Sequence, residues 1–157
     1  MKSEIIFSYS SSWHGRYSDV HGIDIEILCD ISNPTQWPFM IRKTKMDGEM
    51  FGEEERTTEI TKISQALFEN IKTAIAKNSD LRKCTGKIDN EVMDGSSEYF
   101  RFACDGFVLC ASGSSILGSG SYDDQQGRRN TENCIVYKAY EQVKALVQKE
   151  GIDVFEW

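Results

Sequence analysis

The 157-residue sequence predicts an α+β fold, an antiparallel sheet of five to six strands with two amphipathic helices packed on one face. Three observations lead there. Residues 22–31 alternate apolar and polar side chains, the period of a strand with one face in a core. Asp105-Gly106 sits between two alternating runs, the signature of a two-residue hairpin turn. Two longer stretches, about 58–77 and 131–150, repeat apolar residues at helical spacing. The elements do not alternate strand with helix, so a parallel doubly wound sheet does not fit. No repeat, Pro-rich linker or composition break divides the chain, and residues 1–157 read as one domain.

In chain order, Ile5, Phe7 and Tyr9 share one face of a first strand over 5–9. Ser10–His21 is rich in serine and reads as a loop carrying Trp13 and Tyr17. Ile23, Ile25, Ile27, Cys29 and Ile31 form the apolar face of the second strand, which ends at an Asn33-Pro34 turn. Trp37, Phe39 and Ile41 continue the alternation in a third strand. Pro38 lacks an amide donor, which places that strand at an edge and Trp37 in the core. Met46-Asp47-Gly48 marks a further turn.

The first helix is expected from Thr58 to Lys77, with Ile60, Ile63, Leu67, Ile71, Ala74 and Ile75 as its stripe. Thr57 or Thr58 would cap it, and the glutamates before it would lie near the positive end of its dipole. Residues 79–96 are polar and turn-rich. The Asp105-Gly106 turn then sets a register: Cys104 with Phe107, Phe102 with Leu109, Phe100 with Ala111, all apolar and on one face. Residues 112–130 form a long polar loop. The second helix carries Ile135, Val136, Ala139, Tyr140, Val143, Leu146 and Val147 inward, with Gly151 as its left-handed cap. Residues 152–157 are expected to add a short strand.

Composition narrows function by class. The net charge of −7 repels phosphate backbones, which disfavours direct nucleic-acid binding and favours a basic protein partner. Only three apolar residues follow Met1-Lys2-Ser3-Glu4, whereas a signal peptide needs about 7–15 and a membrane span about 20. A cytoplasmic protein without membrane contact is the expectation. The five cysteines, Cys29, Cys84, Cys104, Cys110 and Cys134, show no CxxC spacing and read as reduced, mostly buried thiols.

No catalytic motif stands out. His14 and His21 flank Asp19 without any metal-ligand spacing, so no metal or cofactor is expected. The Ser/Gly segment 112–121 precedes Arg128, Arg129 and a helix, yet it lacks the Walker lysine and the Rossmann spacing. The leading functional expectation is a non-enzymatic acidic binding protein. Its sharpest form is a bacterial immunity protein, or comparable inhibitor, that neutralises a basic toxin such as a nuclease. The candidate contact residues are Asp47, Glu49, Glu53, Glu54, Glu55, Trp13, Tyr122, Asp123 and Asp124. Two alternatives stand beside it. One is a small enzyme or a binder of a phosphate-containing ligand, built from segment 112–121 with His14, His21, Arg128 and Arg129. The other is a chaperone or adaptor for a secreted protein. Monomer and dimer remain open.

Overall fold

A computed structural model describes residues 3–14, 19–32, 37–49, 53–85, 96–113 and 131–155. Six strands form one antiparallel sheet: β1 (Glu4–His14), β2 (Asp19–Cys29), β3 (Phe39–Glu49), β4 (Glu54–Lys62), β5 (Ser96–Cys104) and β6 (Phe107–Gly113). Their order is β4-β3-β2-β1-β5-β6. Helices α1 (Gln65–Lys77) and α2 (Thr131–Lys149) supply the second layer, with a 3-10 turn at Leu81–Lys83. The expected α+β architecture, a sheet with two helices, is what the chain adopts.

Alternation decides which face is covered. Phe7 and Tyr9 of β1, Ile23, Ile25 and Ile27 of β2, Phe39 and Ile41 of β3, and Phe100 and Phe102 of β5 are all buried. They form one cluster with Leu67, Phe68, Ile71 and Ile75 of α1 and Val136, Ala139, Tyr140, Val143 and Val147 of α2. Phe7 lies at its centre. Its ring centroid is 5.5 Å from Phe102, 6.3 Å from Tyr140 and 6.2 Å from Phe155. The register of β1 with β2 slips between Ile5 and Phe7, the mark of a bulge at Ile6. There the Arg101 guanidinium donates to the Ile5 carbonyl at 2.9 Å, supplying a partner where the ladder is irregular.

Polar ties fix the helices. The Lys72 ammonium of α1 donates to Glu4 at 3.0 Å and lies 3.4 Å from Asp105, joining the helix to the start of β1 and to the β5–β6 turn. The hydrogen bond to Glu4 pushes the Lys72 pKa up. Glu132 of α2 accepts from the Thr85 amide at 2.7 Å and from its hydroxyl at 3.1 Å.

The β5–β6 register matches the sequence reading pair for pair, from Cys104↔Phe107 to Tyr99↔Ser112. α2 and the left-handed Gly151 (φ 77°) also fall where expected. Several expectations are corrected. Residues 54–62 form strand β4, and the helix starts only at Gln65. Its N-cap is Ser64, whose hydroxyl accepts from the Leu67 amide at 3.0 Å, rather than Thr57 or Thr58. Ile60 is therefore no part of the helical stripe and is 60% exposed. The glutamates belong to a strand and not to a helix entry.

The expected loop 10–21 is largely strand, since β1 runs to His14 and β2 begins at Asp19. β3 extends past Met46-Asp47-Gly48 and is interior, because Pro38 precedes its first residue; the Pro38 carbonyl accepts from the Asp30 amide at 2.8 Å. Trp37 is 45% exposed, with its indole N–H donating to the Ile63 carbonyl. Residues 152–155 form no strand, with a turn at 154–155, and residues 156–157 lie outside the described residues. Most of the polar loop, residues 114–130, lies outside the described residues, and so does segment 86–95.

Candidate functional site

Strand pairing gathers acidic residues that the sequence separates. β2 pairs with β3 so that Asp19 faces Glu49 and His21 faces Asp47. β3 pairs with β4 so that Asp47 faces Glu55 and Gly48 faces Glu54. β1 adds Trp13 opposite His21. A single cross-strand row thus runs Trp13, His21, Asp47, Glu55, with Glu54 in the next row and Asp19 opposite Glu49 one row beyond that. Asp47, Glu53, Glu54 and Glu55 are exposed. An acidic end of the sheet results, bordered by an aromatic residue.

Two basic side chains sit within it. The His21 imidazole Nδ1 is 2.7 Å from the Asp47 carboxylate. Arg56 pairs with Glu54, two residues before it on the same side of β4. The Arg56–Glu54 pair is open to solvent, so it contributes about 0–1 kcal/mol and leaves the field negative. Cross-strand neighbours of like charge, such as Asp47 and Glu55, are mutually repulsive. Sheet packing gains nothing from them.

Of the candidate contact residues, Trp13, Asp47, Glu49, Glu54 and Glu55 lie on this strand end, and Glu53 directly precedes β4. Tyr122, Asp123 and Asp124 fall outside the described residues, as do Arg128, Arg129 and segment 114–121. His14 pairs in register with Val20, at the same end of the sheet. The His21 ring is engaged by Asp47. Among the described residues no group of three His, Cys, Asp or Glu side chains could hold a metal ion. Among them, too, no helix is long and apolar enough to cross a membrane.

The face of the sheet opposite the two helices holds a second feature that sequence reasoning missed. Ser112, Tyr99, Ser10, Asp24, Thr44 and Thr58 form one row across all six strands. The Ser10 hydroxyl donates to the Asp24 carboxylate, and the Thr44 and Thr58 hydroxyls are 3.2 Å apart. Tyr99 is 42% exposed, and a hydrogen bond with Cys110 pushes its phenol pKa up. A cleft of about 530 Å3 opens above this row. The signal was available in the sequence. Ser8, Ser10 and Ser12 alternate with Phe7, Tyr9 and Ser11, which continues the strand period where the serine content suggests a loop.

The buried thiols carry no sign of activation. Cys29, Cys104 and Cys134 are buried, Cys84 is half-buried and Cys110 is exposed. Burial pushes the Cys29 thiol up, and it pushes Cys84 up to about 11. Reactive cysteines need the opposite shift. Comparison with family models and with curated proteins finds no match for this chain.

Proposed function

We propose that the protein acts by binding rather than by catalysis, and that the acidic end of strands β2, β3 and β4 docks a basic protein partner. The carrying observation is the register that sets Trp13, His21, Asp47 and Glu55 in one row beside Asp19, Glu49 and Glu54. Carboxylates concentrated on an exposed strand end steer a basic partner toward it. An inhibitor of a basic nuclease fits this chemistry, since such a toxin presents Lys and Arg where it grips phosphate. A bacterial immunity protein, acting in the cytoplasm on its cognate toxin, is the specific form of the reading. It requires neither a cofactor nor contact with nucleic acid or membrane.

Native mass spectrometry of the protein isolated gently from its own cells tests this. A complex holding equal numbers of this chain and a basic protein supports the reading and identifies the target. Repeated isolation of the chain without a protein partner contradicts it.

The cleft above Ser10, Asp24, Thr44 and Tyr99 favours a second reading, a binder of a small polar ligand. Its volume of about 530 Å3 lies within the usual range of ligand sites, about 300–1,000 Å3. Hydroxyls, the Asp24 carboxylate and the Arg56 guanidinium line it, a mixed donor and acceptor set that suits a neutral polyhydroxylated molecule. Titration with neutral sugars, followed by amide shifts at Ser10, Asp24 and Tyr99, decides it; unmoved shifts reject it.

A further inference from the structure

Among the described residues, β4 is the outer strand of the sheet and has no neighbour on its far side. Every residue from Glu54 to Ile60 is exposed. Its free hydrogen-bonding groups are set by its pairing with β3. The Ile63 amide donates to the Phe39 carbonyl at 3.1 Å, directly continuing the Met40↔Lys62 register. A residue's amide and carbonyl point to the same side of an extended strand, and the side alternates along the chain. Glu55, Thr57, Glu59 and Thr61 therefore turn their backbone groups toward β3. Glu54, Arg56, Thr58, Ile60 and Lys62 turn theirs outward, where no strand meets them.

We propose that this edge pairs antiparallel with the same edge of a second copy of the chain, about a two-fold axis at Thr58, joining two sheets into one. The charge pattern of β4 selects that partner and that register. Centred on Thr58, Glu54 faces Lys62, Glu55 faces Thr61, Arg56 faces Ile60 and Thr57 faces Glu59, with the first and third pairs on the outward-bonding residues. Two Glu–Lys pairs form, one at each end, and no like charges meet. Sliding one strand by two residues keeps the hydrogen bonding but sets Glu55 against Glu59. The opposite slide sets Arg56 against Lys62 and Glu59 against Glu59. A slide of one residue faces outward groups with inward ones and forms no ladder.

Charges on an edge strand ordinarily repel an arbitrary second strand. Here they are complementary in one register and repulsive in its neighbours, which is how a sequence specifies self-pairing. The register also accounts for Ile60, which is 60% exposed in the single chain. It places that side chain against the aliphatic stem of the facing Arg56. Asp47 lies on β3 and Glu53 beyond the paired segment, so that part of the acidic end stays accessible, while Glu54 and Glu55 enter the pairing. Sedimentation reads the pairing with no other protein present, so its failure is distinguishable from failure of the proposed function.

Sedimentation equilibrium on the full chain tests it, with three variants. The wild type is expected at twice the 17.9 kDa of one chain. Lys62→Glu faces Glu54 with a like charge at both ends and is expected to weaken the dimer by about tenfold or more. The double variant Glu54→Lys, Lys62→Glu restores opposite charges and is expected to recover it. Thr58→Pro removes an outward amide and no bond to β3, a position where an edge strand tolerates proline. It is expected to give a folded monomer, as read by circular dichroism. A wild type that stays monomeric at all concentrations overturns the proposal. So does a dimer indifferent to Lys62→Glu and Thr58→Pro, or a double variant that fails to recover.

Discussion

The junction between β4 and α1 gives the sharpest check on how this chain is organised, because two candidate caps lie six residues apart. Ser64 accepts a hydrogen bond from the Leu67 amide, one of the donors that the first turn of α1 cannot satisfy internally. Replacing it with alanine leaves that amide to water. Cap losses of this kind cost about 0.5–2 kcal/mol. Ser64 is exposed, so water partly substitutes, and the expected loss is about 1 kcal/mol. For a chain of this length that is a fall in Tm of roughly 2–4 °C. Thr58→Val is the matched control. Valine cannot cap a helix, yet it suits a strand at least as well as threonine. Only the exposed contact with the Thr44 hydroxyl is lost. The expected change is within about 0.5 kcal/mol. Urea unfolding at low protein concentration, with the slope held common, measures both. A Thr58→Val loss near 1 kcal/mol with a silent Ser64→Ala would refute the strand assignment and restore a helix beginning at Thr58.

Three further outcomes follow from the packing. Phe7→Ala empties the aromatic centre of the core, where the residue is 0% exposed, and should cost about 3–5 kcal/mol in the same unfolding assay. A loss under about 1 kcal/mol would show that Phe7 is not packed as described. With a thiol reagent at neutral pH, Cys110 should react first, while Cys29, Cys104 and Cys134 wait for unfolding and Cys84 lags because burial pushes its pKa up to about 11. Mass mapping that finds Cys29 or Cys134 labelled first would contradict the burial pattern. Burial also raises the phenol pKa values of Tyr9 and Tyr140 above their ordinary 10.0. The folded chain then keeps protons that the unfolded chain releases. Stability from this source is level below about pH 10 and falls as the pH rises beyond it. Alkaline titration of Tyr9→Phe and Tyr140→Phe should show a shallower decline than the wild type; an unchanged slope would reject the assignment.

Legibility in the sequence followed burial. The β5–β6 hairpin was readable to the residue because the Asp105-Gly106 turn and the alternation of Phe100, Phe102, Leu109 and Ala111 point to one register. α2 was readable because one face alone is apolar and Gly151 follows it. β4 was not. Both its faces are exposed, so it lacks alternation, and Ile60, Ile63 and Leu67 happen to fall three and four residues apart. That spacing mimics a helix across a strand–helix boundary. The serines of β1 hid a strand in the same way, since its face opposite the helices is hydroxyl-rich. The acidic residues and Trp13 were individually legible as contact candidates. Their convergence was not, because it depends on pairings among four strands that no local pattern encodes.

The central claim is that the acidic strand end steers a basic partner. Its most direct test is the association rate of the captured partner with Glu53→Gln, Glu54→Gln, Glu55→Gln combined, measured across ionic strength. The expected rate is about tenfold below the wild type at low salt, with a flattened salt dependence. A variant that binds as fast as the wild type, with the same salt slope, would contradict it.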